Sequence, residues 1–127
     1  MELIKYNTNS IFVDYAHTPD AVENVLKSAQ EFKKGKIITI IGCGGNRDAT
    51  KRPIMGKIAV DNSDYVIFTS DNPRKEEPEA ILNDITANLI SDNFEIIVER
   101  QDAIYKGVKM LDENDILMIL GQGHENY

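Results

Sequence analysis

Along almost the whole chain, short β-branched and apolar segments alternate with segments of helical periodicity, which predicts an α/β fold. Residues 37–41 and 116–120 are apolar without interruption, as expected of strands covered on both faces. Glycine-rich and charged stretches follow the strands instead of interrupting the helices. Parallel neighbours need crossover connections, and these are usually helical. The expected architecture is therefore a Rossmann-like three-layer sandwich, a mainly parallel sheet with helices on both faces.

The elements follow in order. Residues 3–6 and 11–13 flank Asn7, Thr8 and Asn9, all good turn formers, and predict an opening hairpin. Thr18 reads as an N-cap with Pro19 at the first helical position, and Val22, Val25, Leu26, Ala29 and Phe32 recur at helical spacing until Gly35. After the strand at 37–41, Ile54, Ile58 and Ala59 suggest a short helix, and residues 65–68 a second buried strand. A helix over 80–90, with Ile81, Ile85 and Leu89 on one face, precedes a strand at 95–98, a helix at 103–111 and the last strand at 116–120. Neither an internal repeat nor a linker is visible.

A chain of 127 residues is long enough to bury a core without disulfides or a structural metal, and a single domain over 1–127 is expected. The net charge of -7 repels polyanions at long range, which argues against nucleic acid and anionic membranes as partners. Cys43 has no second thiol to pair with, and no apolar run approaches a membrane span. Glu2, Leu3, Ile4 and Lys5 do not form a leader. A cytoplasmic protein is expected.

In open α/β sheets the ligand lies beyond the carboxyl ends of the strands, which directs attention to loops 14–19, 42–51, 70–78 and 121–127. Gly42, Cys43, Gly44 and Gly45, followed by Asn46, Arg47 and Asp48, read either as a phosphate cradle or as a tight turn. Arg47 replaces the third glycine of a dinucleotide fingerprint, and Gly-Lys-Ser/Thr of a P-loop occurs nowhere. In Asp71, Asn72, Pro73 and Arg74, proline stiffens a loop that presents two kinds of donor, and arginine can grip a carboxylate through two parallel bonds. The alternative there is a helix-entry turn, with Pro78 starting the helix and Glu76, Glu77 and Glu79 complementing its dipole. Gly121, Gln122, Gly123, His124 and Glu125 leave the backbone open to a ligand, with Glu125 able to accept from an ammonium; His17, His124 and Glu125 also read as ordinary surface residues.

Together, Asp-Tyr-Ala-His-Thr-Pro-Asp at 14–20, Gly-Cys-Gly-Gly-Asn-Arg-Asp at 42–48, Asp-Asn-Pro-Arg at 71–74 and Gly-Gln-Gly-His-Glu at 121–125 resemble the third domain of MurE-type Mur ligases. The resemblance covers nearly the whole chain, including Lys51, Arg52, Pro53, Met55 and Gly56, and departs at Gln122, where lysine is usual. It implies an ATP-dependent ligase that uses Mg²⁺ and adds meso-diaminopimelate to UDP-MurNAc-L-Ala-D-Glu in peptidoglycan synthesis. It further implies that Arg47, Asn72, Pro73, Arg74, Gly121 and Glu125 bind the incoming amino acid and that Asp14 and His17 face the nucleotide. No catalytic or metal-ligating residue is assigned within the chain.

The family's N-terminal and central ATP-binding domains are not encoded here, so a C-terminal fragment, inactive alone, is expected. A lysine-adding ligase is the nearest alternative, and Arg74 argues against it. A receiver-like module would require paired acids after its first strand and a lysine after its last, whereas this chain has Asp14 and Gln122. A stand-alone nucleotide-binding module is weakened by the imperfect glycine pattern.

Overall fold

The structure, a computed structural model, describes residues 2–6, 9–16, 18–43, 49–70 and 77–121. Strands β1 (Glu2–Tyr6) and β2 (Asn9–Asp14) pair antiparallel, as expected of the opening hairpin, although Asn7 and Thr8 lie outside the described residues. Helix α1 (Pro19–Phe32) starts where the Thr18 hydroxyl accepts from the Ala21 N–H at 3.3 Å, with Pro19 in the first turn. Then come β3 (Ile37–Cys43), a 3-10 turn at Ala49–Lys51, α2 (Arg52–Asp61), β4 (Tyr65–Ser70), α3 (Pro78–Thr86), β5 (Phe94–Ile96), α4 (Arg100–Met110) and β6 (Ile116–Leu120).

The sheet order is β1-β2-β6-β3-β4-β5, with every pairing after the first parallel. From β2 through β3 and β4 to β5 the chain moves in one direction across the sheet, and right-handed crossovers therefore place α1, α2 and α3 on the same face. The step from β5 back to β6 runs the other way and puts α4 on the opposite face. Alternate strand residues divide accordingly: Phe12, Ile37, Ile41, Phe68, Met118 and Leu120 share a core with α1 to α3, while Ile11, Ile38, Ile40, Ile67, Leu117 and Ile119 pack on Ala103 of α4. These two clusters make the expected three layers.

Some local readings hold and others are corrected. The short helix is α2, with Ala59 buried and Ile58 packed on the core, but Ile54 points outward while Arg52, Gly56 and Val60 are buried. The α3 helix stops at Thr86, whose hydroxyl donates to the Leu82 carbonyl, leaving Ile90 99% exposed beyond it. Leu89 still packs against the core. Phe32 is half exposed but meets the Phe12 ring at a centroid distance of 5.5 Å. Strand β5 is only three residues, ending at Ile96.

The amino ends of the strands are held by side chains the sequence pattern did not single out. The buried Asp115 carboxylate accepts the backbone N–H of Lys36 at 2.7 Å and of Asp112 at 2.8 Å, while the Ile116 N–H donates to the Lys36 carbonyl at 2.8 Å. Asn9, expected in a turn, is a buried first residue of β2 whose side-chain amide donates to the carbonyls of Asp112 and Asp115. The Lys36 ammonium lies 2.9 Å from Asp112 and 3.7 Å from Asp115; its hydrogen bond to Asp112 and the Asp115 charge raise its pKa. Asp64 repeats the device by accepting the Ile37 N–H at 2.8 Å.

On the α4 face, Glu95 accepts from the Tyr65 hydroxyl at 2.7 Å and from the Lys106 ammonium at 2.9 Å, joining β4, β5 and α4. Desolvation pushes Glu95 up, but the Lys106 and Tyr65 hydrogen bonds outweigh it and hold the carboxyl below its ordinary value. Desolvation and the Glu95 contact push Tyr65 from 10.0 up to about 12.

Two outcomes are expected. Asp115→Ala leaves the Lys36 and Asp112 N–H groups without their acceptor and should destabilise the domain by about 2 to 4 kcal/mol in urea unfolding, whereas a change under about 0.5 kcal/mol would contradict the clamp. In a spectroscopic titration one tyrosine should ionise near pH 12, and Tyr65→Phe should abolish that step. Because the folded pKa is raised, the Tyr65 contribution to stability is complete below pH 10 and is lost as pH rises toward 12.

Candidate functional site at the carboxyl edge

Register aligns the carboxyl-terminal parts of four strands in one row, beyond which β3 and β4 run two residues further. Asp14 of β2 stands opposite Leu120 of β6, Leu120 opposite Ile41 of β3, and Ile41 opposite Phe68 of β4. At a strand spacing of about 4.8 Å, the chain exits from these four strands fall within about 15 Å of one another. All four loops singled out in the sequence are thus rooted on one edge. Strand β6 has returned between β2 and β3 there, and the reversal of strand order marks the customary ligand crevice of such sheets.

Asp14 ends β2 half-buried, and its carboxylate accepts the Ala16 N–H at 3.2 Å, turning the chain toward the Thr18 cap. The α1 N-terminus, the positive end of its dipole, therefore faces this edge. Gly121 leaves β6 at φ 79°, a left-handed conformation that glycine adopts without strain. A Cβ at that position would collide with the Gly42 carbonyl, so the β3 and β6 backbones meet with no side chain between them. The contact fixes the end of β6 against β3 at this edge.

Of the expected site residues, Asp14 and Gly121 are therefore brought to the same edge. His17, Arg47, Asp71, Asn72, Pro73, Arg74 and Glu125, together with Gln122 and His124, lie outside the described residues. The roots of their segments adjoin: Cys43 and Ser70 pair directly across β3 and β4, and Gly121 follows the neighbouring β6.

Arg52, named in the sequence only as part of the resemblance, has a structural role at this edge. Arg52, the first residue of α2, is only 7% exposed and lies 2.9 Å from the Asp84 carboxylate on α3. An arginine at a helix start opposes the dipole, and that misfit was the available signal. Among the described residues no group of three or more His, Cys, Asp or Glu converges to hold a metal ion, and Mg²⁺ is assigned to none of them. No helix of the described residues is long and apolar enough to cross a membrane.

Comparison with known proteins agrees with this arrangement. Residues 1–123 match the family model described as Mur ligase, glutamate ligase domain. A UDP-N-acetylmuramoyl-L-alanyl-D-glutamate--2,6-diaminopimelate ligase of Clostridium acetobutylicum is 49% identical over 99% of this chain and 27% of its own length. A solved structure of a ligase of the same name superposes with a TM-score of 0.93 at 40% identity, over 100% of this chain and 26% of that one. A folylpolyglutamate synthase/dihydrofolate synthase from Yersinia pestis, solved with AMPPNP and a manganese ion, covers 89% of this chain and 26% of its own at a TM-score of 0.69 and 16% identity, a likeness of fold. The chain spans about a quarter of the length of these relatives. With a family model matching residues 1–123 and close similarity in sequence and fold to these ligases, the chain belongs to the Mur ligase family, as its glutamate ligase domain.

Proposed function

We propose that this chain is the C-terminal, amino-acid-binding domain of a cytoplasmic ATP-dependent ligase that adds meso-diaminopimelate to UDP-MurNAc-L-Ala-D-Glu, acting with N-terminal and central domains beyond residues 1–127. The observation that carries the reading is the register row from Asp14 to Phe68, beyond which β2, β6, β3 and β4 all leave the sheet on one edge, each feeding a segment that bears a candidate ligand. The similarity to diaminopimelate-adding ligases supports it.

Meso-diaminopimelate carries a carboxylate and an ammonium at its far end. Arg74 supplies two parallel N–H donors for that carboxylate, and Glu125 accepts from an ammonium. Arg47 and Asn72 add donors, Pro73 stiffens the loop that bears its neighbours, and Gly121, whose packing on Gly42 admits no side chain, supplies main-chain groups for the amino acid. Asp14 and His17 face the nucleotide, beside the α1 N-terminus.

In the reaction proposed, ATP converts the D-glutamyl carboxylate to an acyl phosphate. The amine nitrogen of diaminopimelate attacks the acyl carbon, the C–N bond forms, and inorganic phosphate leaves as the amine loses a proton. This domain contributes position: holding the amine near the acyl carbon replaces a bimolecular encounter with an oriented one. Mg²⁺, when bound, offsets negative charge on the transferring phosphate. Without the loops that organise ATP, the isolated domain is proposed to be inactive.

A lysine-adding ligase would leave Arg74 without a far carboxylate, which favours diaminopimelate. In the complete ligase, Arg74→Ala should lower kcat/KM for meso-diaminopimelate by about 10-fold to 100-fold, the worth of a charged hydrogen bond, with little effect on any turnover of lysine. Steady-state kinetics with both amino acids measures the ratio. An equal fall for both would mean that Arg74 supports the loop and does not read the substrate.

A further inference from the structure

We infer that Tyr15 is the surface on which the base of the nucleotide stacks; this rests on the reading that Asp14 and His17 face the nucleotide. Tyr15 follows the last paired residue of β2 and Gly121 the last paired residue of β6, so the two leave the sheet as neighbours in register. The backbone on either side of Tyr15 is held. Asp14 ends β2 and its carboxylate accepts the Ala16 N–H, while Ala16 is buried in the core shared with α1. Tyr15 itself is 40% exposed. Among the described residues the other aromatic side chains at least as open are Phe32, at the end of α1, and Tyr105, in the middle of α4, and neither stands at the carboxyl edge.

Charge decides which end of the nucleotide belongs here. Asp14 and Asp20 put two carboxylates about the start of α1, where they offset the positive end of its dipole, and the chain as a whole carries -7. Phosphates are therefore disfavoured beside Tyr15. Ribose hydroxyls can donate to a carboxylate, and a base needs only a flat aromatic face, whose attraction does not depend on net charge. Position across the sheet agrees, since β6 intervenes and two strand spacings, about 10 Å, separate β2 from β3. A base on the β2 side leaves the β3 and β4 side, which leads to Arg47 and Arg74, to the amino acid.

The test uses the complete ligase. Tyr15→Ala should raise the KM for ATP about 10-fold, as loss of one base–aromatic stack implies, and leave that for meso-diaminopimelate within about 2-fold. Tyr15→Phe keeps the ring and should stay within about 2-fold of the unaltered enzyme, whereas Tyr15→Leu keeps apolar bulk without a π face and should lose most of what alanine loses. The comparison of leucine with phenylalanine carries the test if the alanine variant does not fold. Inorganic tripolyphosphate has no base, so its inhibition constant against ATP should move less than about 2-fold in every variant. A rise in that constant parallel to the KM for ATP, an unchanged KM for ATP in Tyr15→Ala, or a leucine variant equal to the phenylalanine one would overturn the inference. Normal ATP kinetics in both Asp14→Asn and Tyr15→Ala would remove the nucleotide reading and this inference together. An impaired Asp14→Asn beside a normal Tyr15→Ala would remove the inference alone.

Discussion

Strand β6 enters the sheet last and takes the place between β2 and β3, and the Asp115 carboxylate at its foot determines where it stops. Bound to the Lys36 and Asp112 N–H groups, that carboxylate ties the start of β6 to the start of β3, while Asn9 ties it to β2. A slip of one residue would turn Leu117 and Met118 to the wrong faces of a sheet buried on both sides. The same register aligns Asp14, Leu120, Ile41 and Phe68 at the far end. Order at the carboxyl edge is therefore a consequence of polar contacts made at the amino edge.

The two edges use different chemistry for this reason. At the amino edge, the buried Asp115 carboxylate and Asn9 amide spend their hydrogen bonds on backbone, leaving little with which to bind a ligand. At the carboxyl edge the central approach is made by glycine, with Gly121 pressed against the Gly42 carbonyl, and the surrounding loops carry the arginines. A net charge of -7 makes local cations the means of holding a carboxylate or phosphate here.

Much of the fold was legible because its signals are local. The apolar runs at 37–41 and 116–120 became β3 and β6, and Thr18 with Pro19 marked the start of α1. Strand order was not legible, since nothing within residues 116–120 says which neighbours they pair with. Asn9 was read as a turn former from its propensity, but burial against Asp112 and Asp115 overrode that preference. Apolar periodicity marked α2 but could not show that the helix packs through Gly56 and buried Arg52, with Ile54 turned outward. At the candidate site, Asp14 and Gly121 lie at the carboxyl edge to which the motifs directed attention, while Arg52 was given no structural role because its partner Asp84 is 32 residues away.

The claim that this edge holds the amino acid is tested most directly by determining the structure of the complete ligase with meso-diaminopimelate bound. The expected result is a ligand over the ends of β3 and β6, with its far carboxylate within hydrogen-bond distance of the Arg74 guanidinium and its chain passing beside Gly121. A ligand bound at the amino edge, or one whose far carboxylate meets no side chain from residues 71–74, would contradict it.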